Sequence, residues 1–178
     1  TLSTGVRPEA ASMWEDMCYS GGPLISPRIF REVLVPNYKR ITNLLHRYGV
    51  DIIFLDCDGK IDALAPLWME AGVNTMFPIE VGKWRGDPVA FRREYGKDMR
   101  LIGGVGKHNL AGATDDILRE IERPTPLGEE GGDIPLPDHR VPPDVSLSNY
   151  IFYLEEAKRA WGKNLPNLRP TGQVHLTA

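Results

Sequence analysis

Ile52-Ile53-Phe54-Leu55 runs straight into Asp56-Cys57-Asp58-Gly59-Lys60. The four apolar residues suit a strand buried on both faces. The five that follow carry charge, thiol and glycine, the composition of a loop at a strand end. Upstream, Ser26-Pro27 pairs a helix cap with proline at the first helical position. Ile29, Phe30, Val33, Leu34, Ile41, Leu44 and Leu45 then recur on one face as far as Tyr48, before Gly49. Pro36 inside that pattern predicts a kink or break.

The alternation continues downstream. Helical spacing covers Ile61–Ala71, Pro88–Tyr95, Thr114–Arg123 (stopped by Pro124) and Leu147–Trp161 (capped by Ser146). Strands are predicted at Asn74–Phe77, at Arg100–Ile102 (broken by Gly103-Gly104) and, more weakly, at Gly132–Leu136. Lys163–Ala178 has no clear period and reads as an irregular tail after a domain spanning 1–162. Strands alternating with helices define an α/β protein with a parallel sheet. An open doubly wound sheet and part of a closed barrel both fit. A full barrel takes roughly 250 residues, and this chain has 178.

Composition removes several classes of function. The chain is 42% hydrophobic and 25% charged with a formal net charge of -3. It has no basic run of the kind nucleic-acid binding needs. Its apolar runs are too short to cross a membrane, and Thr1–Ala10 has no signal pattern. Two cysteines without a CxxC pair predict reduced thiols and a cytoplasmic protein.

Functional groups of parallel α/β proteins gather past the C-terminal strand ends, and every such end here is polar. Glu15 and Asp16 precede the first helix. Asp56 and Asp58 follow one strand, Glu80 the next, Lys107 and His108 the third, and Asp138-His139-Arg140 the last. Asp56 and Asp58, at i and i+2, can share a proton or a cation, and with His139 would suit zinc or another divalent metal. Equally, either aspartate could cap the helix starting near Ile61. The candidate catalytic groups are His139, Asp16 and Asp56. Glu80, Lys107, His108 and Arg140 are the candidate binding groups for a small-molecule substrate. Gly103–Gly106 matches neither the P-loop nor GxGxxG; it reads as a tight turn or a backbone anion site. GxSxG is absent. Trp68, Trp84 and Trp161 read as packing residues.

Several segments resemble the uroporphyrinogen decarboxylase-like family, over roughly Trp14 to Trp161. They are Trp14-Glu15-Asp16-Met17 with Gly22–Pro27, Asp56-Cys57-Asp58-Gly59, Glu70–Val73, Pro78-Ile79-Glu80, Leu101–Gly104 and Pro137–Val145. The resemblance implies the C-terminal half of a (β/α)₈ barrel, with about four N-terminal units lying outside the chain. It implies a carbon–carbon lyase acting on a tetrapyrrole carboxylate in porphyrin biosynthesis, without a cofactor, with His139 in the cleft. An essential aspartate and carboxylate-binding arginines of such decarboxylases fall in the other half. A second branch of the family transfers methyl groups from a corrinoid to a zinc-activated thiol. Asp56 and Asp58 stand where that branch has histidine and cysteine, His139 where it has a zinc-binding cysteine, and Gly106 where many relatives are acidic. A third reading is a catalytically incomplete half-barrel. Half a barrel leaves inner side chains and two strand edges uncovered, which predicts a homodimer or a partner supplying the missing half.

Overall fold

The structure, a computed structural model, describes residues 2–162; the expected irregular tail lies outside them. In chain order the strands are β1 (Ala10–Trp14), a short antiparallel hairpin of β2 (Cys18–Tyr19) and β3 (Gly22–Pro23), β4 (Ile52–Asp56), β5 (Thr75–Ile79), β6 (Arg100–Val105) and β7 (Asp133–Pro137). The α-helices are α1 (Pro27–Ile29), α2 (Val35–Arg47), α3 (Ala65–Glu70), α4 (Pro88–Tyr95), α5 (Thr114–Glu122), α6 (Thr125–Glu130) and α7 (Leu147–Trp161). None of the described helices is long and apolar enough to cross a membrane.

Five strands form one parallel sheet in the order β1-β4-β5-β6-β7. Each sheet strand lies beside its successor, with no reversal of direction. A doubly wound sheet reverses at a switch point, whereas a barrel does not. The fold is therefore α/β and of the partial-barrel kind. The sheet has one strand more than the alternation predicts, β1, and the β2–β3 hairpin lies outside it. Ala10-Ala11-Ser12-Met13-Trp14 has little β propensity of its own; it is a strand because all five residues register against β4, from Ala10↔Ile52 to Trp14↔Asp56.

Several boundaries moved for local reasons. Ser26 caps the first helical turn through its hydroxyl, which accepts from the Ile29 N–H at 3.3 Å. The break expected at Pro36 appears one turn earlier, as a π-helical turn at Phe30–Leu34 in which the Val35 N–H reaches Phe30 O. Pro36 has no N–H to continue the α ladder and sits in the first turn of α2. Likewise α3 starts at Ala65 rather than near Ile61, with Pro66 in its first turn. β5 continues through Pro78 to Ile79, with a register irregularity after Met76. Pro124 stops α5 but leads directly into α6, which the sequence reading lacked.

Gly103 and Gly104 do not break β6; they lie inside it. Both have positive φ, 124° and 82°. A Cβ on Gly103 would lie 2.6 Å from Ile79 N, so only glycine lets the β5 backbone come this close. The turn or anion site expected here is a strand instead.

The core lies between the sheet's helix-facing side and α2 and α3. Ile53, Leu55, Met76 and Leu101 pack there with Phe30, Tyr38, Leu64 and Trp68. Phe30 meets Trp68 edge-on at 5.5 Å. A second cluster joins Val105 and Leu110 to α5 and α7 through Ile117, Ile121 and Tyr153. The expectation of two-sided burial for Ile52–Leu55 is corrected. Ile53 and Leu55 are buried, but Ile52 is 39% exposed and Phe54 half-buried. The other face of the sheet is open, and carries Trp14 (76% exposed), Ile134 (58% exposed) and the Phe54–Phe77 pair.

Candidate active site

Two aspartates leave the end of β4. Asp56 is its last residue and Asp58 stands two further on, beyond buried Cys57. Neither caps the next helix; the N-cap of α3 is Leu64, with no side-chain bond. Asp58 instead reaches across the mouth of the sheet, its Oδ2 3.3 Å from Nε2 of His139, which follows β7. This contact forms the wall between two clefts of about 320 Å³ each, since both residues line both. Tyr19, Lys83, Trp84 and His108 share the first cleft; Trp14, Asp56, Phe77 and Arg140 share the second.

Asp56 carries a carboxyl pushed above its ordinary value, first by burial and then by the charges of Asp58 and Asp16, with His139 opposing. Asp16, exposed on the loop after β1, thus belongs to the same acidic corner. A divalent metal requires converging donors. Among the described residues no three His, Cys, Asp or Glu side chains are so arranged, and Asp58 turns its carboxylate to His139. The donor set expected for a metal does not fit one in this arrangement.

Beneath the clefts lies a charged network. Lys107 Nζ is 2.8 Å from Glu80 Oε1 and 3.8 Å from Asp138 Oδ1, with only 12% of the lysine side chain and 3% of each carboxylate side chain exposed. Glu80 Oε2 accepts from the Gly59 N–H at 2.7 Å. Asp138 accepts from the Val81 N–H at 2.9 Å and the Lys107 N–H at 3.0 Å. Burial raises the Asp138 carboxyl, while these N–H donors and the lysine charge pull it down. Glu80 and Lys107 line the first cleft, but their charged ends engage one another. His108 and Arg140 are exposed, one at each cleft.

Three features escaped the sequence reading. Asp138 was visible only as part of a polar run past a strand; its burial was not. Trp84, expected merely to pack, lines the first cleft with Lys83 Nζ 5.1 Å over its ring. Cys18 and Cys57, distant in sequence and both unbridged, are buried in one core cluster, where Cys57 Sγ lies 3.6 Å from Asp58 O. No motif announces such a meeting, because β2 and the end of β4 are joined only by the fold.

No protein-family profile matches the chain, and no curated protein matches it significantly. Among solved structures, a methyltransferase from Methanosarcina mazei superposes on 85% of this chain with a TM-score of 0.61 and 19% sequence identity. The matched region is 42% of that enzyme, so this chain spans less than half its length. Identity this low speaks for architecture alone: the chain shares the α/β fold of part of that methyltransferase.

Proposed function

We propose that this chain carries part of the active site of a methyl-transfer enzyme, with the Asp58–His139 pair activating the methyl acceptor. The observation that supports it is that pair itself, set between two clefts at the C-terminal strand ends of a fold shared with a methyltransferase. Asp58 Oδ2, 3.3 Å from Nε2 of His139, favours the proton on that nitrogen and leaves Nδ1 as the basic one. A thiol in the adjoining cleft loses its proton to Nδ1. The resulting thiolate forms the new S–C bond, and the donor, a methylcorrinoid, keeps the electron pair of the bond that breaks. Asp56, its carboxyl raised by burial and by its acidic neighbours, lines the second cleft beside the pair.

Methylcobalamin consumption by added small thiols, followed by absorbance, tests this. The wild type is expected to accelerate it, and His139→Ala and Asp58→Ala to lose about 100-fold, the scale of one general base. Equal rates with and without protein would sink the reading. The exposed cations Lys83 and Arg140 at the cleft lips, with His108 beside the first cleft, favour a second reading, decarboxylation of a tetrapyrrole carboxylate. Turnover of uroporphyrinogen without methyl transfer would establish that one. Failure of both assays would leave a catalytically incomplete half-barrel.

The open apolar face bears on assembly. Two five-stranded sheets exceed the eight strands of a barrel, so a second copy would lie face to face rather than extend the strands. A dimer is expected in sedimentation at micromolar concentration, weakened by Ile134→Lys. A monodisperse wild-type monomer would contradict it.

A further inference from the structure

We infer that the buried Glu80–Lys107–Asp138 network is a positioning device that sets the Asp58–His139 pair. This rests on the role proposed above for that pair. Asp58 and His139 stand on loops from β4 and β7, separated by two strands. Backbone bonds hold the loop bases, Cys57 N–H to Phe77 O at 2.8 Å and Asp138 N–H to Val105 O at 2.8 Å. Each loop is also tied to the network through a chain neighbour of the functional residue. On one side, the Gly59 N–H bonds Glu80 Oε2. Gly59 has φ +92°, and a Cβ on it would lie 2.8 Å from the Tyr19 backbone, so this loop is pressed between hairpin and network. On the other side, Asp138 immediately precedes His139 and accepts from Val81 and Lys107, past the ends of β5 and β6. Lys107 joins the two carboxylates. Four strand ends are thus tied through three side chains, and the distance across the mouth follows from them.

Both oxygens of Glu80 are in use, one for Gly59 and one for Lys107. Glutamine offers a single acceptor oxygen and can satisfy only one of them. Glu80→Gln therefore loosens the tie with little change of volume. The readout is the ring tautomer of His139, from nitrogen chemical shifts, assigned by comparison with His139→Gln among the four histidines of the chain. With Nε2 facing Asp58, the neutral ring in the wild type is expected in the Nε2–H form. Glu80→Gln should give a mixture of tautomers, and so should Asp58→Ala. Lys107→Arg, which keeps the cation, should retain the wild-type pattern. Should the Glu80 variant fail to fold by circular dichroism, Asp138→Asn carries the same test from the other side. An unchanged wild-type tautomer in both Glu80→Gln and Asp138→Asn, with Asp58→Ala shifted, overturns the inference.

The tautomer needs no turnover, so the inference and the proposed function fail separately. If wild-type protein transfers no methyl group but the tautomer follows the network, the positioning role stands and the function does not. In active protein, Glu80→Gln should lower kcat by up to about 100-fold, the cost of a small misplacement, with KM unchanged.

Discussion

Lys107→Met is expected to destabilise the fold by about 3–5 kcal/mol, the cost of removing one partner from a buried ion pair. Among the described residues the lysine is the only cation in contact with Glu80 and Asp138, each with 3% of its side chain exposed. Methionine fills similar space, so the loss comes from charge rather than a cavity. Two carboxylates would then face each other out of water. Urea unfolding at pH 7 with an unchanged m-value measures the effect. Glu80→Gln/Lys107→Met should recover part of the loss by removing one stranded charge. A loss below about 1 kcal/mol in Lys107→Met, the scale of an exposed pair, would mean that water reaches the network.

The second large effect is a pH dependence. Asp133, at the start of β7, has its carboxyl pushed up to about 6 by burial, with the Arg92 charge opposing. Its Oδ2 is buried without a hydrogen-bond partner. The ordinary value is 3.8, so between 3.8 and about 6 the folded state binds more protons than the unfolded chain. Stability from this group is fully present below 3.8 and is lost as pH rises through about 6. The shift corresponds to about 3 kcal/mol at most. Asp133→Asn cannot titrate, so relative to the wild type it should gain up to that amount between pH 4 and pH 7. Other carboxylates contribute equally to both proteins and cancel. Parallel stability–pH curves for the two proteins would show that Asp133 stays hydrated.

The α/β class was legible because hydrophobic periodicity is local: the Ile52–Leu55 run and the spacing in Leu147–Trp161 each announce their element. β1 was not, since Ala10–Trp14 is a strand only by pairing with β4. Gly103 and Gly104 read as a turn because positive φ usually marks one. Here it marks a strand approached by another backbone. The same division runs through the site. Asp56, Asp58, Glu80, Lys107 and His139 were all named from their places after strand ends. Which of them touch was not legible.

Sequence alone thus determined the alternation of elements and the end of the sheet at which charge gathers, because both follow from residue types a few positions apart. Only the tertiary structure decided the partners: Asp58 with His139, Lys107 between Glu80 and Asp138, Cys18 beside Cys57. Those pairings depend on strand order and on burial. Burial turned Asp138 from one charge in a polar run into the residue that ties three strand ends, since an ionised group withdrawn from water must find its partners within the protein.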